Sequence, residues 1–200
     1  MTSKEKDNVC ETLKYTGMDL FRSKGYSGTG LQEIINKAKT SKGGFYYYFK
    51  NKEDFAVQVI ETHANILING LQEAVKELNG TPMQIVKSIL IARIEHFDKL
   101  NYKRGSLLVQ LLTEATDRGS PILKIVNQCY DRIYDFLAER FYEAQKAGEL
   151  SIDHDPRELA VFVYCGFEGA LIKARAEKSK QPLETYKKFV FAFLDSLTNN

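Results

Sequence analysis

Cysteine is scarce in this chain. Cys10, Cys129 and Cys165 are odd in number, far apart and form no C-x-x-C pair, so neither a disulfide framework nor a zinc site is indicated. Each reads as a free thiol, either a small core residue or a redox or electrophile sensor. Also missing is any run approaching the ~18 uncharged apolar residues that a membrane span needs. The opening stretch MTSKEKDNVC has no apolar segment to act as a signal peptide, so the cytoplasm is the expected compartment. No nucleophile and base motif, paired catalytic carboxylates, Gly-rich phosphate loop or H-E-x-x-H pair is found, which argues against an enzyme and implies neither cofactor nor metal. Sustained period-two alternation is lacking, which argues against a sheet. What is there is an apolar pattern at helical spacing through 200 residues, 44% of them hydrophobic and 12% aromatic, enough to bury a core. The expected class is all-α.

The four prolines punctuate that pattern, because Pro is tolerated in a first helical turn and costs about 3 kcal/mol inside a helix. Thr81-Pro82 opens a helix to about Leu100, Ser120-Pro121 one to about Ala147, and Asp155-Pro156 another, with Glu158 three residues after the cap. Gln181-Pro182 opens the last, ending near Leu197. Gly148 reads as the left-handed stop of the long middle helix. Gly105 precedes a short helix from about Ser106 to Asp117, closed by Gly119. Before Thr81 the pattern predicts a helix from Ser3 to Lys24, two short ones, and a long fourth from Asn51 to about Leu78, capped by Asn51 with Glu53 and Asp54 in its first turn. That makes about nine helices, without repeats or low-complexity tracts. Residues 1–50 are expected to form one domain and residues 51–200 a second, sharing the fourth helix.

Charge becomes informative once it is divided along the chain. Residues 1–56 hold ten basic and seven acidic residues, net +3, and between Asn36 and Lys52 there are five lysines (Lys37, Lys39, Lys42, Lys50, Lys52) and no acid. A polyanion is the natural partner of such a segment, although a lysine-rich stretch is often only a solvated face. Just before and within it, Leu31, Ile34, Ile35 and Ala38 fall at i, i+3, i+4, i+7 and make one buried face on a helix of about two turns. Lys39-Thr40-Ser41 supplies a break, with Thr40 or Ser41 able to cap a second short helix through about Phe49. On that helix Phe45, Tyr48 and Phe49 share one side, while Gly43, Tyr46 and Tyr47, flanked by Lys42 and Gly44, face the other. Glycines at 43 and 44 let the helix approach another surface closely, and its first N–H groups favour phosphate. Two short helices joined by a three-residue turn, with such an outer face, describe a helix-turn-helix whose second helix enters a major groove.

Leu20-Phe21, Gly25-Tyr26, Ile34, Ala38, Ser41-Lys42-Gly43, Phe45-Tyr46, Tyr48-Phe49, Lys52-Glu53 and Phe55 together resemble the signature of the TetR (AcrR-like) family of bacterial repressors. The sequence departs from that signature at Lys39, where the turn Gly is usual, at Thr40 for Val, at Ile35 for Ala, and at Tyr47, where His is common. The resemblance implies that Lys42 and Gly44 lie near base edges, that Tyr46 and Tyr47 bond phosphates, and that Lys52 holds the DNA backbone. It also implies that Thr29 caps the second helix and is a candidate for a phosphate contact. A recognition helix this short carries few base contacts, each worth about 1 to 3 kcal/mol, so two copies on a palindromic operator are expected. In relatives the last two helices pair into a dimer interface, here about Pro156 to Lys178 and Pro182 to Leu197. Leu159, Phe162, Val163, Phe167 and Leu171 supply one face and Phe189, Val190, Phe193, Leu194 and Leu197 the other, with Gly166, Gly169 and Ala170 permitting close approach.

The resemblance further implies a small-molecule effector that releases the homodimeric repressor from DNA by shifting the fourth helix. Candidate pocket residues are His63, His96, Phe97, Tyr130, Tyr134 and Tyr164, central aromatic and polar positions. Arg104-Gly105-Ser106-Leu107-Leu108 resembles a Gly-Cys-Leu-Leu segment in one subgroup of relatives, with Ser106 in place of that Cys. The competing reading is a non-specific DNA or RNA packing protein, against which the large, nearly neutral, aromatic-rich remainder argues.

Overall fold

A computed structural model of the chain describes residues 3–102, 105–114 and 119–197. Among them there are nine helices and no strand: α1 (Ser3–Lys24), α2 (Leu31–Lys37), α3 (Lys42–Tyr48), α4 (Lys52–Glu77), α5 (Pro82–Lys99), α6 (Leu107–Glu114), α7 (Pro121–Lys146), α8 (Pro156–Glu177) and α9 (Gln181–Ser196). The start signals act as the sequence predicts. Thr81 accepts from the Gln84 N–H while the Gln84 side chain accepts from the Thr81 N–H, a reciprocal cap on α5. Asp155 accepts from the N–H groups of Arg157 and Glu158 at 2.7 and 2.9 Å and so caps α8. Asn51 accepts from Asp54 and begins α4. Gly148 follows α7 at φ 73°, the left-handed stop expected of it. The α9 start differs, since Lys180 precedes it without a side-chain cap and it is Ser179 Oγ that accepts from the Gln181 N–H, with Pro182 in the first turn. Arg104 and the predicted end of α6 at Asp117 lie outside the described residues.

By its contacts the chain forms two compact units, one of residues 1–66 and 106–129, the other of residues 67–105 and 130–200. Helices α4 and α7 run from one unit into the other without a break. The core of the first unit is aromatic. Phe55 of α4 lies 5.9 Å from Phe21 of α1, 5.3 Å from Phe45 of α3 and 4.8 Å from Phe49, centroid to centroid in tilted or edge-on pairs. All four rings are essentially without solvent contact, and Ile34, Ile35, Val59 and Ile60 of the same unit are buried as well. Such pairs add about 0.5 to 1.5 kcal/mol each beyond burial.

In the second unit α8 packs along α9, and α5 also meets α9, where Lys87 pairs with Asp195. Tyr186 of α9 donates its hydroxyl to the Val163 carbonyl at 2.6 Å, its ring lying where a side chain at Gly166 would stand. Burial divides the two apolar faces predicted for these helices. Leu159, Val163, Phe167 and Leu171 of α8 and Val190 and Leu194 of α9 are interior to the unit, whereas Phe162 (57% exposed), Phe189 (64%), Phe193 and Ile172 stand outside it. No helix among the described residues is long and apolar enough to cross a membrane.

Replacing Phe55 by Ala removes the ring shared by three pairs. It should cost about 3 to 5 kcal/mol, read as a lower urea midpoint in unfolding followed by circular dichroism.

Candidate nucleic-acid interface

The approach to α2 is a tight turn whose geometry the sequence alone does not reveal. Gly25 holds φ 75°, and an added Cβ there would meet the Glu114 carboxylate at 1.7 Å. Glu114, at the end of α6, accepts from the Ser27 N–H at 2.8 Å and from Gln110 Nε2 at 2.9 Å. Burial alone would raise its carboxyl, but these bonds and the neighbouring Tyr26 N–H outweigh burial and hold it below its ordinary value. Lys52 closes the other side: its ammonium donates to the Tyr26 carbonyl at 2.6 Å and lies 4.2 Å from the centre of the Tyr26 ring. Burial lowers the Lys52 ammonium, against the pull of Glu114.

Thr29 is where the expectation fails. It is fully buried, its hydroxyl donates to the Gly25 carbonyl at 2.6 Å, and the residue before α2 in the capping position is Gly30, which has no side chain to offer. Because the hydroxyl is committed to closing its own turn, Thr29 neither caps α2 nor presents surface to a ligand.

The turn between α2 and α3 puts Lys39 at φ 53°, a conformation that costs an L-residue about 1 to 2 kcal/mol and explains why Gly is usual there. Of the two proposed caps it is Ser41 that acts, its Oγ accepting from the Gly44 N–H at 2.9 Å. Thr40, half-buried, stands against Gly44, where a Cβ would meet its Oγ1 at 2.6 Å. Gly44 is therefore demanded chiefly by Thr40, with the cap oxygen Ser41 Oγ 3.3 Å from the same position. Gly43 is not: it is exposed and helical, and a Cβ would meet nothing closer than 3.8 Å. A glycine in a helix that could hold alanine gives up about 0.5 to 1 kcal/mol, so its use here has no cause inside the subunit.

Around Gly43 the outer face of α3 is as the wheel predicts. Tyr46 and Tyr47 are 47% and 65% exposed, Lys42 is exposed, and Phe45 and Phe49 are buried opposite. Tyr48 departs from the core expectation: it is half-buried and meets Tyr47 edge-on at 4.8 Å, since seven residues cannot bury three consecutive-turn rings behind one short helix. Lys37, Lys39, Lys42 and Lys50 are exposed along the same segment.

The candidate effector residues separate. In the second unit Tyr130, Tyr134 and Tyr164 lie with ring centroids about 6 Å apart, and Phe97 reaches Tyr164 through Phe167. Burial, then the Glu168 carboxylate, pushes the Tyr130 and Tyr164 phenols far above their ordinary value. His96 does not join them; it is exposed on α5, edge-on to Phe97. His63 belongs to the first unit, where its Nδ1 lies 3.0 Å from Arg22 Nη2. A narrow apolar cavity in the second unit is walled by Leu67, Leu71, Ile89, Leu90, Ile133, Leu137, Tyr164 and Phe167, with Arg93 beside them. Apart from Tyr164, none of these is a pocket residue in the sequence reading, which places Phe167 on the dimer face instead, because an apolar wall looks like any other core.

Two outcomes check the local account. Gly43→Ala should raise stability by about 0.5 to 1 kcal/mol in thermal unfolding while weakening DNA binding. Glu114→Gln, whose amide cannot replace both acceptor oxygens, should lose about 1 to 2 kcal/mol at neutral pH. Because the native carboxyl is held down, that stability is present above the ordinary carboxylate range and lost as pH falls through the depressed value, so the two proteins should converge in acid.

Comparison with known proteins agrees with this geometry. Residues 16–59 match the family model described as bacterial regulatory proteins, tetR family, and residues 82–190 match that described as tetracyclin repressor-like, C-terminal domain. The chain is 32% identical over 182 residues to the transcriptional regulator AcuR of Cereibacter sphaeroides, covering 88% of this chain and 80% of that protein. It is 28% identical over 196 residues to the HTH-type transcriptional repressor DhaR of a Mycobacterium species, covering 96% and 95%. Among solved structures, the reduced form of Escherichia coli NemR superposes with a TM-score of 0.85 at 25% identity, over 92% of this chain and 95% of that one. A regulatory protein TetR from Rhodobacter sphaeroides gives 0.82 at 30% identity, over 90% and 95%. With helix-turn-helix and C-terminal models both matched and a relative above 30% identity along most of its length, the chain belongs to the TetR family of bacterial DNA-binding regulators and is not an enzyme.

Proposed function

We propose that this chain is a repressor that binds a palindromic operator as a homodimer in the cytoplasm and is released by a small-molecule effector. The observation that carries the reading is the outer face of α3, where an exposed lysine, a glycine with no internal cause and two exposed tyrosine hydroxyls stand opposite a sealed aromatic face. Residues 1–50 are the DNA-binding part and residues 51–200 the effector and dimerisation part. Lys42 faces base edges, with the exposed Gly43 beside it in place of the expected Gly44, which is half-buried against Thr40, and Tyr46 and Tyr47 face phosphates. Ser41 and Thr40 set the angle of the helix. An ammonium has three N–H groups, and Lys52 spends one on Tyr26, which leaves it able to hold a phosphate as well as the turn.

The dimer is read from the faces that the subunit leaves uncovered. Phe162 and Phe193 lie 5.0 Å apart, centroid to centroid, and with Phe189 and Ile172 they are large apolar side chains left exposed on α8 and α9. Gly169, exposed on α8 with open space where a Cβ would stand, lets a second copy approach closely, whereas Gly166 is filled by Tyr186 of its own subunit. Release follows from connectivity, because α4 starts at Lys52 beside the reading head and continues to the Leu67 and Leu71 walls of the cavity. A ligand that favours one setting of α4 shifts the population able to span successive major grooves.

Selection from a random duplex pool should enrich a site with two related half-sites. On that duplex Tyr46→Phe should weaken binding to all sequences alike, while Lys42→Ala should relax preference at one position by about 1 to 3 kcal/mol. Phe162→Glu with Phe189→Glu should give a monomer by sedimentation; a persisting dimer would move the interface elsewhere.

A further inference from the structure

The loop that joins α2 to α3 is closed by two backbone bonds that fix its shape. The Thr40 N–H donates to the Ile35 carbonyl and the Lys39 N–H to the Asn36 carbonyl, both at 3.1 Å, so α2 ends in a Schellman motif with Lys39 as its left-handed residue. At φ 53° a side chain crowds its own carbonyl, which is why glycine commonly fills such a position. Lys39 stands there instead, exposed, and its ammonium makes no ion pair or hydrogen bond with any described residue.

Strain alone does not call for a ligand. Lys178 closes α8 in the same conformation, at φ 50°, with the Ser179 N–H on the Ala174 carbonyl. The charges around the two lysines separate them. Beside Lys178 acids and bases alternate, with Glu177 paired to Lys173 and Glu184 to Lys187. Beside Lys39 there is no acid from Asn36 to Lys52, and Glu33, the carboxylate just before that stretch, is already paired with Lys24. Lys37, Lys42 and Lys50 are likewise exposed and without an ion pair among the described residues. An ammonium thus sits at a backbone position that disfavours any side chain, among like charges that repel it, and no described group offsets either cost.

A partner with closely spaced negative charges offsets both. Lys39 precedes Ser41, the cap of α3, by two residues and Lys42, on its outer face, by three, so the turn adjoins the surface read as meeting the duplex. Resting on that reading of α3, we propose that Lys39 is a further DNA-binding residue: its ammonium holds a backbone phosphate beside the groove that α3 enters, and lysine replaces glycine in the turn for the sake of that contact. A phosphate contact carries no base information, so Lys39 sets affinity and docking while Lys42 reads sequence.

The test is fluorescence anisotropy of the full chain on a duplex selected by the wild type, repeated over a range of potassium chloride concentrations. Lys39→Gly relieves the turn and should melt higher than the wild type, yet bind more weakly. Counterion release puts the loss at about fivefold per lysine, so about thirtyfold for two copies at physiological salt, and the slope of log affinity against log salt should flatten by about 0.9 per copy. Lys39→Arg keeps the charge and should keep the wild-type slope, whereas Lys39→Asn, neutral and tolerant of the left-handed region, should bind as weakly as Lys39→Gly. The loss should be alike on the selected duplex and on unrelated DNA. Wild-type affinity and slope in Lys39→Gly, or an arginine variant as weak as the glycine one, would overturn the assignment. So would a loss confined to the selected sequence, or a lower melting point in both Lys39→Gly and Lys39→Asn, which would make the residue part of the fold. A wild type that binds no duplex sinks the reading of α3 and this contact with it. Binding that survives Lys39→Gly but falls in Tyr46→Phe leaves that reading standing and removes Lys39 alone.

Discussion

Phe55 touches Phe21, Phe45 and Phe49 at once, and through those three rings α1, α3 and α4 are fixed to one another. A helix of seven residues has no stability of its own in water, because nucleation uses most of what so few hydrogen bonds return. It exists here because its inner face is clamped in that cluster and its first turn is capped by Ser41. The same clamp decides what faces outward. With Phe45 and Phe49 held inside, the 100° step per residue leaves Lys42, Gly43, Tyr46 and Tyr47 nowhere to go but solvent or a duplex.

Around this anchor the turn at residues 25–29 is held from three sides, and each hold uses a group that looks like something else in the sequence. Thr29 looks like a helix cap and is an internal latch; Lys52 looks like a surface cation and is partly a brace; Glu114 looks like a solvated end of a short helix and closes the turn 87 residues earlier in the chain. The consequence for function is positional. The end of α6 and the start of α4 both hydrogen-bond the segment that leads into α2, at Ser27 N–H and the Tyr26 carbonyl.

Legibility in the sequence followed the range of the interaction. Caps and prolines act within three or four residues, so the starts of α4, α5, α7 and α8 could be read from Asn51, Thr81-Pro82, Ser120-Pro121 and Asp155-Pro156. The two faces of α3 were legible because periodicity on one helix is a local matter. Where a long-range partner decides, the sequence is silent. Nothing local distinguishes Phe162, which is exposed, from Val163, which is interior to its unit, nor separates His63 and His96 from the tyrosine cluster. Arg93 sits one turn before Phe97 and reads as any solvated arginine; its place beside an apolar cavity is set by α4, α7 and α8 residues distant in the chain.

The central claim is that the lysine, glycine and tyrosine side of α3 is the surface that meets DNA. Oxidation of tyrosines by hydroxyl radicals, mapped by mass spectrometry with and without the selected duplex, addresses it most directly. The account predicts strong protection of Tyr46 and Tyr47 on binding, with the exposed Tyr15 and Tyr142 modified as readily as before. Protection that appears elsewhere while Tyr46 and Tyr47 stay fully reactive in the complex would contradict it.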